Sequence, residues 1–140
     1  MNILKNITIN DKYIVKHFIE STSFCDVYTA QENGSDKFVS ISIYKDNEIA
    51  KDDLDANGDL REIGFLKLGI DGLPMLMGFG DFSHKTQRYR YIASEFISGE
   101  SVMDRIKRQG PLSISESTTI ILRIAEIARN LHNREKPILL

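Results

Sequence analysis

Apolar and polar residues alternate through the first third of the chain. Residues 13–31 hold two apolar stretches separated by a polar segment around Thr22, and residues 38–44 alternate with a period of two. This period is typical of a strand with one buried face. The pair Asn33-Gly34, which tolerates the positive φ of a tight turn, separates the second stretch from the third. The pattern therefore predicts three antiparallel strands joined by short turns.

The apolar spacing changes after this region. From residue 50 to residue 68 the pattern becomes helical, with Leu60, Ile63 and Leu66 at helical spacing. Gly58 weakens the first half of this stretch, so a late start is expected, with Asp59 in the first turn of the helix. Gly69 ends the predicted helix, and Pro74 prevents its continuation. Two further strands are predicted at residues 75–82 and 89–97 because both stretches are rich in apolar and aromatic residues.

Two helices complete the predicted order of elements. The first covers residues 100–109 and stops at Gly110. The second begins after Ser113 or Ser115, continues to about Asn133, and carries an apolar stripe wider than a half-exposed helix needs. The predicted fold class is α+β, with a five-stranded antiparallel sheet, one packed helix and two following helices.

Composition and charge narrow the classes of partner. The chain has 140 residues, 41% of them hydrophobic and 27% charged, which is typical of one globular domain. A formal net charge of −2 gives no general attraction to nucleic acid or to an anionic membrane. The longest apolar stretch is interrupted by Arg123 and Glu126 and is too short to span a bilayer. We therefore expect neither nucleic acid nor membrane as a partner.

Cysteine and histidine usage bears on location and metal binding. Cys25 is the single cysteine, so an internal disulfide is excluded, and the N-terminal residues lack the apolar core of a signal peptide. We therefore expect a cytoplasmic protein. His17 and His84 have no acidic or cysteine partners at ligand spacing, so no metal site is predicted.

Short sequence signatures lie at the junctions between these elements. In chain order they are Phe24–Ala30, Val39–Tyr44, Arg61–Ile63, Tyr91–Ser101, Gly110–Ser113 and Ile127–His132. Their order and spacing resemble the small lobe, the hinge and the first large-lobe helices of a eukaryotic-type serine/threonine protein kinase. The resemblance covers about residues 13–140.

The kinase resemblance implies a division of the chain into three regions. Residues 1–12 would be an N-terminal extension, residues 13–97 a kinase-like small lobe with its hinge, and residues 98–140 the first helices of a truncated large lobe. The catalytic loop of the family, with its Asp and its metal-binding Asn, would begin only at the end of this sequence. The resemblance therefore implies no catalytic residue in this chain and no phosphoryl transfer by this chain alone.

The residues that would hold phosphates differ from the family pattern. Glu20, Thr22 and Cys25 occupy the three glycine positions of the phosphate loop, where side chains obstruct the approach of a phosphate. Ser42 aligns with the lysine of the third strand, and Glu62 aligns with the glutamate that this lysine normally pairs with. The resemblance implies that ATP binding is weakened and that no cofactor is certain.

Strand alternation excludes a neighbouring lysine as a replacement. Residues 38, 40, 42 and 44 share one face of the third strand, so the side chain of Lys45 points to the opposite face from Ser42. Glu62 is therefore expected to be exposed or to meet a partner other than a strand lysine.

At other positions of the nucleotide cleft, this chain carries residues of the kind that the kinase family has there. The resemblance implies an adenine site formed by Ile19, Val27, Ser40, Ser94, Glu95 and Ile97. In this assignment Ser94 is a small gatekeeper, and the backbone of residues 95–97 is the hinge. The alternative is that these residues only form the strands and core of the lobe.

The predicted function follows from these substitutions. We expect the N-terminal portion of a pseudokinase with a weak or absent ATP site and a regulatory or binding role. One alternative is a fragment of an active serine/threonine kinase, and another is a stand-alone dimerising module. The apolar stripe within residues 113–140 would contact the remainder of a kinase domain, a protein partner or a second copy.

Overall fold

The computed structural model describes residues 4–133. Residues 1–3 of the predicted extension and residues 134–140 of the predicted docking segment lie outside the described part. The chain forms two compact units. The first contains the residues up to Gly69 together with Pro74–Ile97, and the second contains Ile70–Leu73 together with the residues from Ser98 onward.

The first unit is built on one antiparallel sheet with the spatial order β1-β2-β3-β4-β6-β5. Its strands are β1 (Thr8–Ile9), β2 (Tyr13–Ser21), β3 (Asp26–Glu32), β4 (Phe38–Lys45), β5 (Leu76–His84) and β6 (Gln87–Glu95). The prediction of five strands was wrong in number, because the sheet has six. Asn10 and Asp11 adopt positive φ angles of 49° and 55°, which turn the chain so that β1 pairs with the start of β2.

The two edges of the sheet approach each other, so that the sheet nearly closes on itself. The Tyr13 hydroxyl donates to the Met77 carbonyl at 3.2 Å, and the Asn10 side chain donates to the Asp81 carbonyl at 3.1 Å. The Tyr13 ring meets Tyr91 edge to face, with the ring centroids 5.9 Å apart. A Cβ atom on Gly78 would lie 2.6 Å from the Tyr13 hydroxyl oxygen, so this approach requires glycine.

Strand alternation places the core on the enclosed face of the sheet. The buried side chains of this face come from every strand except β5, and they include Ile9, Val15, Tyr28, Ala30, Val39, Ile41, Ile43, Tyr89, Tyr91 and Ala93. The opposite face of β4 carries Ser42 and Tyr44. Tyr44 joins Leu60, Ile63 and Ile92 in a second, smaller buried cluster.

The segment between β4 and β5 forms its α-helix only after Gly58, in agreement with the predicted late start. Helix α1 covers only Arg61–Leu66, preceded by two short 3-10 turns at Asp46–Glu48 and Lys51–Asp53. The Asp55 side chain accepts hydrogen bonds from the backbone N–H groups of Asn57 and Asp59, at 2.8 and 2.9 Å. These bonds favour a turn over a helix, because they satisfy the backbone donors locally.

The second unit contains helices α2 (Val102–Gln109) and α3 (Ile114–His132). Of the two serines predicted to cap α3, Ser113 is the cap, and it forms a reciprocal capping box with Glu116. Arg105 of α2 pairs with Glu116 at 2.8 Å, which connects the two helices. None of the helices in residues 4–133 is long and apolar enough to cross a membrane.

Candidate functional site

The turn between β2 and β3 is held by the side chain of Thr22. Its hydroxyl oxygen accepts hydrogen bonds from the backbone N–H groups of Phe24 and Cys25, at 3.1 and 3.0 Å. The Thr22 backbone N–H donates to the Cys25 carbonyl at 2.9 Å. A phosphate loop binds its ligand through free backbone N–H groups. In this turn, the N–H groups of residues 24 and 25 already have an acceptor within the chain.

Two acidic residues flank this turn. Glu20 lies opposite Val27 in the strand register, and Asp26 accepts a hydrogen bond from the Ser21 hydroxyl at 2.6 Å. Both carboxylates repel an approaching phosphate group, since like charges repel. The charge of the turn therefore adds to the obstruction by its side chains.

Lys45 pairs with an acidic residue near its own position in the chain. Its Nζ atom lies 2.8 Å from Glu48 Oε1, and both side chains are largely exposed. Ser42 lies opposite Val27 on one neighbouring strand and opposite Ile92 on the other. In the part of the chain that the structure describes, Glu62 forms no ion pair with a lysine.

Glu62 instead pairs with a tyrosine. The Tyr44 hydroxyl donates to Glu62 Oε2 at 2.5 Å. Only 7% of Tyr44 is exposed, and burial, with the hydrogen bond to Glu62 next in importance, raises the pKa of its hydroxyl far above the ordinary value. The hydroxyl therefore keeps its proton at neutral pH and acts as the donor. Tyr44 joins strand β4 to helix α1 at this point.

The sequence contained a signal for this contact. Alternation places Tyr44 on the same face as Ser42, two residues along the strand, so the face that lacks a lysine carries a different hydrogen-bond donor. A carboxylate can accept from a neutral hydroxyl as well as from a cation, so the Tyr44 hydroxyl was an available partner for Glu62.

A pocket of about 620 Å³ lies between the β2–β3 turn, strand β4 and helix α1. Its wall is mostly apolar and includes Phe24, Val27, Leu60 and Phe65. The polar groups that face it include Ser42, Tyr44 and Glu62. A cavity of this size and character is typical of a small-molecule site.

The structure brings some of the predicted adenine-site residues together. Ser40 and Ser94 lie directly opposite each other on β4 and β6. Val27 is on the same face of the sheet, since it pairs with Ser42, and it lines the pocket. Ser40 and Ser94 are not among the residues that line this pocket.

The other three predicted positions do not belong to this directly paired group on one face of the sheet. Ile19 lies at an irregularity in the pairing of β2 with β3, and 47% of it is exposed. Glu95 pairs with Val39, so it lies on the opposite face of the sheet from Ser94. Its carboxylate accepts a hydrogen bond from the Met75 backbone N–H at 3.3 Å. Ile97 follows the end of β6 and is 64% exposed.

Comparisons with known proteins find similarity in structure, but none to a protein-family model or a curated protein. The sequence matches no protein-family model and no curated protein. The fold is similar to the crystal structure of Rad53 1-466, a protein kinase, in complex with AMP-PNP, with a TM-score of 0.67 and 23% identity. The match covers 86% of this chain and 31% of that one, so the chain spans about a third of the Rad53 structure. At this identity the likeness concerns the fold alone, and the chain therefore has a kinase-like fold.

Proposed function

We propose that this chain is the N-terminal part of a pseudokinase that has a weak or absent ATP site and a binding or regulatory role. The observation that carries this proposal is the hydrogen bond from Tyr44 to Glu62. In an active kinase, the glutamate at this position pairs with a strand lysine that also neutralises phosphates. A neutral tyrosine hydroxyl orients the helix glutamate but supplies no positive charge to a nucleotide.

The β2–β3 turn supports the same proposal. A kinase phosphate loop needs glycines so that its bare backbone can approach the phosphates. Glu20, Thr22 and Cys25 carry side chains at these positions, and Thr22 already accepts the hydrogen bonds of two turn amides. A nucleotide would have to break these bonds before the amides could bind its phosphates.

A thermal-shift titration tests the proposal directly. We expect the melting temperature of the full chain to stay constant when ATP with Mg²⁺, or AMP-PNP, is added to millimolar concentration. Binding to the native state must stabilise it, by about 2.7 kcal/mol at a ligand concentration of 100 times Kd. A clear rise in melting temperature with either nucleotide would contradict the proposal and favour a fragment of an active serine/threonine kinase.

A restored variant provides the matched control for this titration. It combines Glu20→Gly, Thr22→Gly, Cys25→Gly and Ser42→Lys, which returns the family pattern at all four positions. We expect ATP to raise the melting temperature of this variant, because its turn amides are free and a cation lies on the Ser42 face. This result, together with no shift in the unchanged chain, would assign the loss of binding to these four positions.

The exposed face of α3 favours a second candidate function, a dimerising interaction module. Four large apolar side chains of this helix are mostly exposed: Ile114 at 88%, Ile121 at 64%, Leu122 at 61% and Ile124 at 60%. We propose that a second copy of the chain covers this face, because contiguous exposed apolar surface marks an interaction site. The remainder of a kinase domain and a different protein partner are the competing occupants.

Light scattering tests the dimer. We expect the full chain to have twice its monomer mass of 15.9 kDa at high micromolar concentration. Replacing Ile121 and Ile124 by serine is expected to raise the dissociation constant more than about tenfold, which corresponds to 1.4 kcal/mol. Arg129→Ala, an exposed change on the same helix, serves as the control. A monomer mass at millimolar concentration would exclude the second copy as the occupant.

A further inference from the structure

We propose that the pocket between the β2–β3 turn, strand β4 and helix α1 binds a small molecule that carries a protonated amine on an apolar body. This proposal rests on the proposed function, because a triphosphate would otherwise compete for the space below the turn. It extends that function by naming the chemical class that the altered pocket accepts.

The walls of the pocket fit an apolar body. Phe24, Val27, Ile49, Leu60 and Phe65 contribute apolar side chains, and the pocket volume is about 620 Å³. Small-molecule sites usually enclose about 300–1,000 Å³ and are lined mainly by apolar and aromatic side chains with a few polar groups. A molecule with one ring and a short alkyl chain fits within this volume as a whole, which favours a free small molecule over a segment of a protein.

The carboxylates of the pocket fit a cation. Glu62 uses its Oε2 atom to accept from Tyr44, and within residues 4–133 its Oε1 atom has no hydrogen-bond partner. The side chain of Asp53, which also lines the pocket, has no ion-pair or hydrogen-bond partner in this part of the chain either. A protonated amine beside either carboxylate forms charge-assisted hydrogen bonds, which are stronger than neutral ones.

The remaining charges of the pocket do not reverse this preference. The Arg61 guanidinium is partly engaged, since its Nε atom donates to the Leu54 carbonyl at 3.0 Å. The Glu48 carboxylate is matched by Lys45. Among the described residues, three charged side chains of the pocket have no ionic partner: the carboxylates of Glu62 and Asp53 and the guanidinium of Arg61. The two negative charges exceed the one positive charge, which favours a cation over a phosphate as the ligand. The aromatic rings of Phe24, Tyr44 and Phe65 also attract a cation that contacts their faces.

Three probes with one apolar body and different charges test the proposal. These are 4-phenylbutylamine, 4-phenylbutan-1-ol and 4-phenylbutyrate, each titrated into the full chain and followed by amide chemical shifts. We expect the amine to bind at least about tenfold more tightly than the butyrate, with the alcohol between them. The shifted amides should belong to the β2–β3 turn, β4 and α1. Equal affinities, tighter binding of the butyrate, or no binding of the amine at millimolar concentration would overturn the proposal.

Charge-removing variants test which residues hold the amine. Glu62→Gln keeps an acceptor for the Tyr44 hydroxyl and removes the negative charge. We expect this variant to weaken amine binding about fivefold to tenfold and to leave the affinity for the alcohol unchanged. Asp53→Asn is the second variant and should act in the same direction. Asp36→Asn removes a carboxylate outside the pocket and should change neither affinity. Unchanged amine affinity in both pocket variants would overturn the assignment.

The nucleotide titration separates a failure of this inference from a failure of the proposed function. Stabilisation by ATP would contradict the proposed function whatever the amine does. Absence of an ATP effect together with absence of amine binding would contradict only the ligand class proposed for the pocket.

Discussion

Replacing Tyr13 by alanine is expected to lower the free energy of unfolding by about 3–5 kcal/mol, the usual cost of truncating a large buried aromatic side chain. Only 1% of Tyr13 is exposed, and its ring packs against Tyr91. Its hydroxyl also donates across the closure of the sheet to the Met77 carbonyl. The substitution removes both contacts and leaves a cavity where the first and last strands of the sheet approach. Urea unfolding followed by circular dichroism measures the change.

Tyr13→Phe is the matched control, because it removes the hydroxyl and keeps the ring. We expect it to cost about 1 kcal/mol, the usual net contribution of one hydrogen bond. A loss below about 1 kcal/mol for Tyr13→Ala would contradict the role of this residue in closing the sheet. Equal losses for both variants would assign the effect to the hydroxyl alone.

Replacing Tyr44 by alanine is expected to cost about 3 kcal/mol, since it also truncates a large buried side chain. Tyr44 is 7% exposed, packs with Leu60, Ile63 and Ile92, and donates to Glu62. The substitution therefore removes the contacts that hold α1 against the sheet. We expect faster hydrogen exchange of the backbone amides in residues 61–66, in addition to the loss of global stability.

Tyr44→Phe separates packing from hydrogen bonding at this position. It keeps the ring in the small core cluster and removes only the donor to Glu62, so a loss of about 1 kcal/mol is expected. Exchange of the α1 amides should increase less than in Tyr44→Ala. If Tyr44→Ala left exchange in α1 unchanged, Tyr44 would not be what holds the helix to the strand.

Alternation, together with the apolar and aromatic content of residues 75–82 and 89–97, was sufficient to predict the five long strands. It missed β1, whose two residues are too few to show a period. Gly58 indicated the late start of the helix within residues 50–68, but not the turn before α1, in which the Asp55 side chain accepts hydrogen bonds from two backbone N–H groups. A period-based prediction detects apolar faces but gives no weight to local hydrogen bonds of this kind.

For the candidate site, the changes at the phosphate-binding positions stay a prediction from the kinase resemblance. Alternation places Lys45 on the opposite face of β4 from Ser42, and in the structure Lys45 pairs with Glu48. Thr22 was expected to obstruct a phosphate by its bulk, whereas the structure adds that its hydroxyl accepts two turn amides. Alternation places Tyr44 on the Ser42 face, but its hydrogen bond to Glu62 and the pocket beside it depend on three-dimensional packing.

The hydrogen bonds of the Thr22 hydroxyl within the β2–β3 turn limit which substitutions could create a phosphate site. Ser42→Lys alone would add a cation but leave the amides of residues 24 and 25 bonded to the Thr22 hydroxyl. Thr22→Gly alone would free those amides but leave the acidic Glu20 beside them and no cation on the Ser42 face of β4. A phosphate site of the proposed kind would therefore need several substitutions together, because Thr22→Gly alone gives up two hydrogen bonds of the turn without adding a cation.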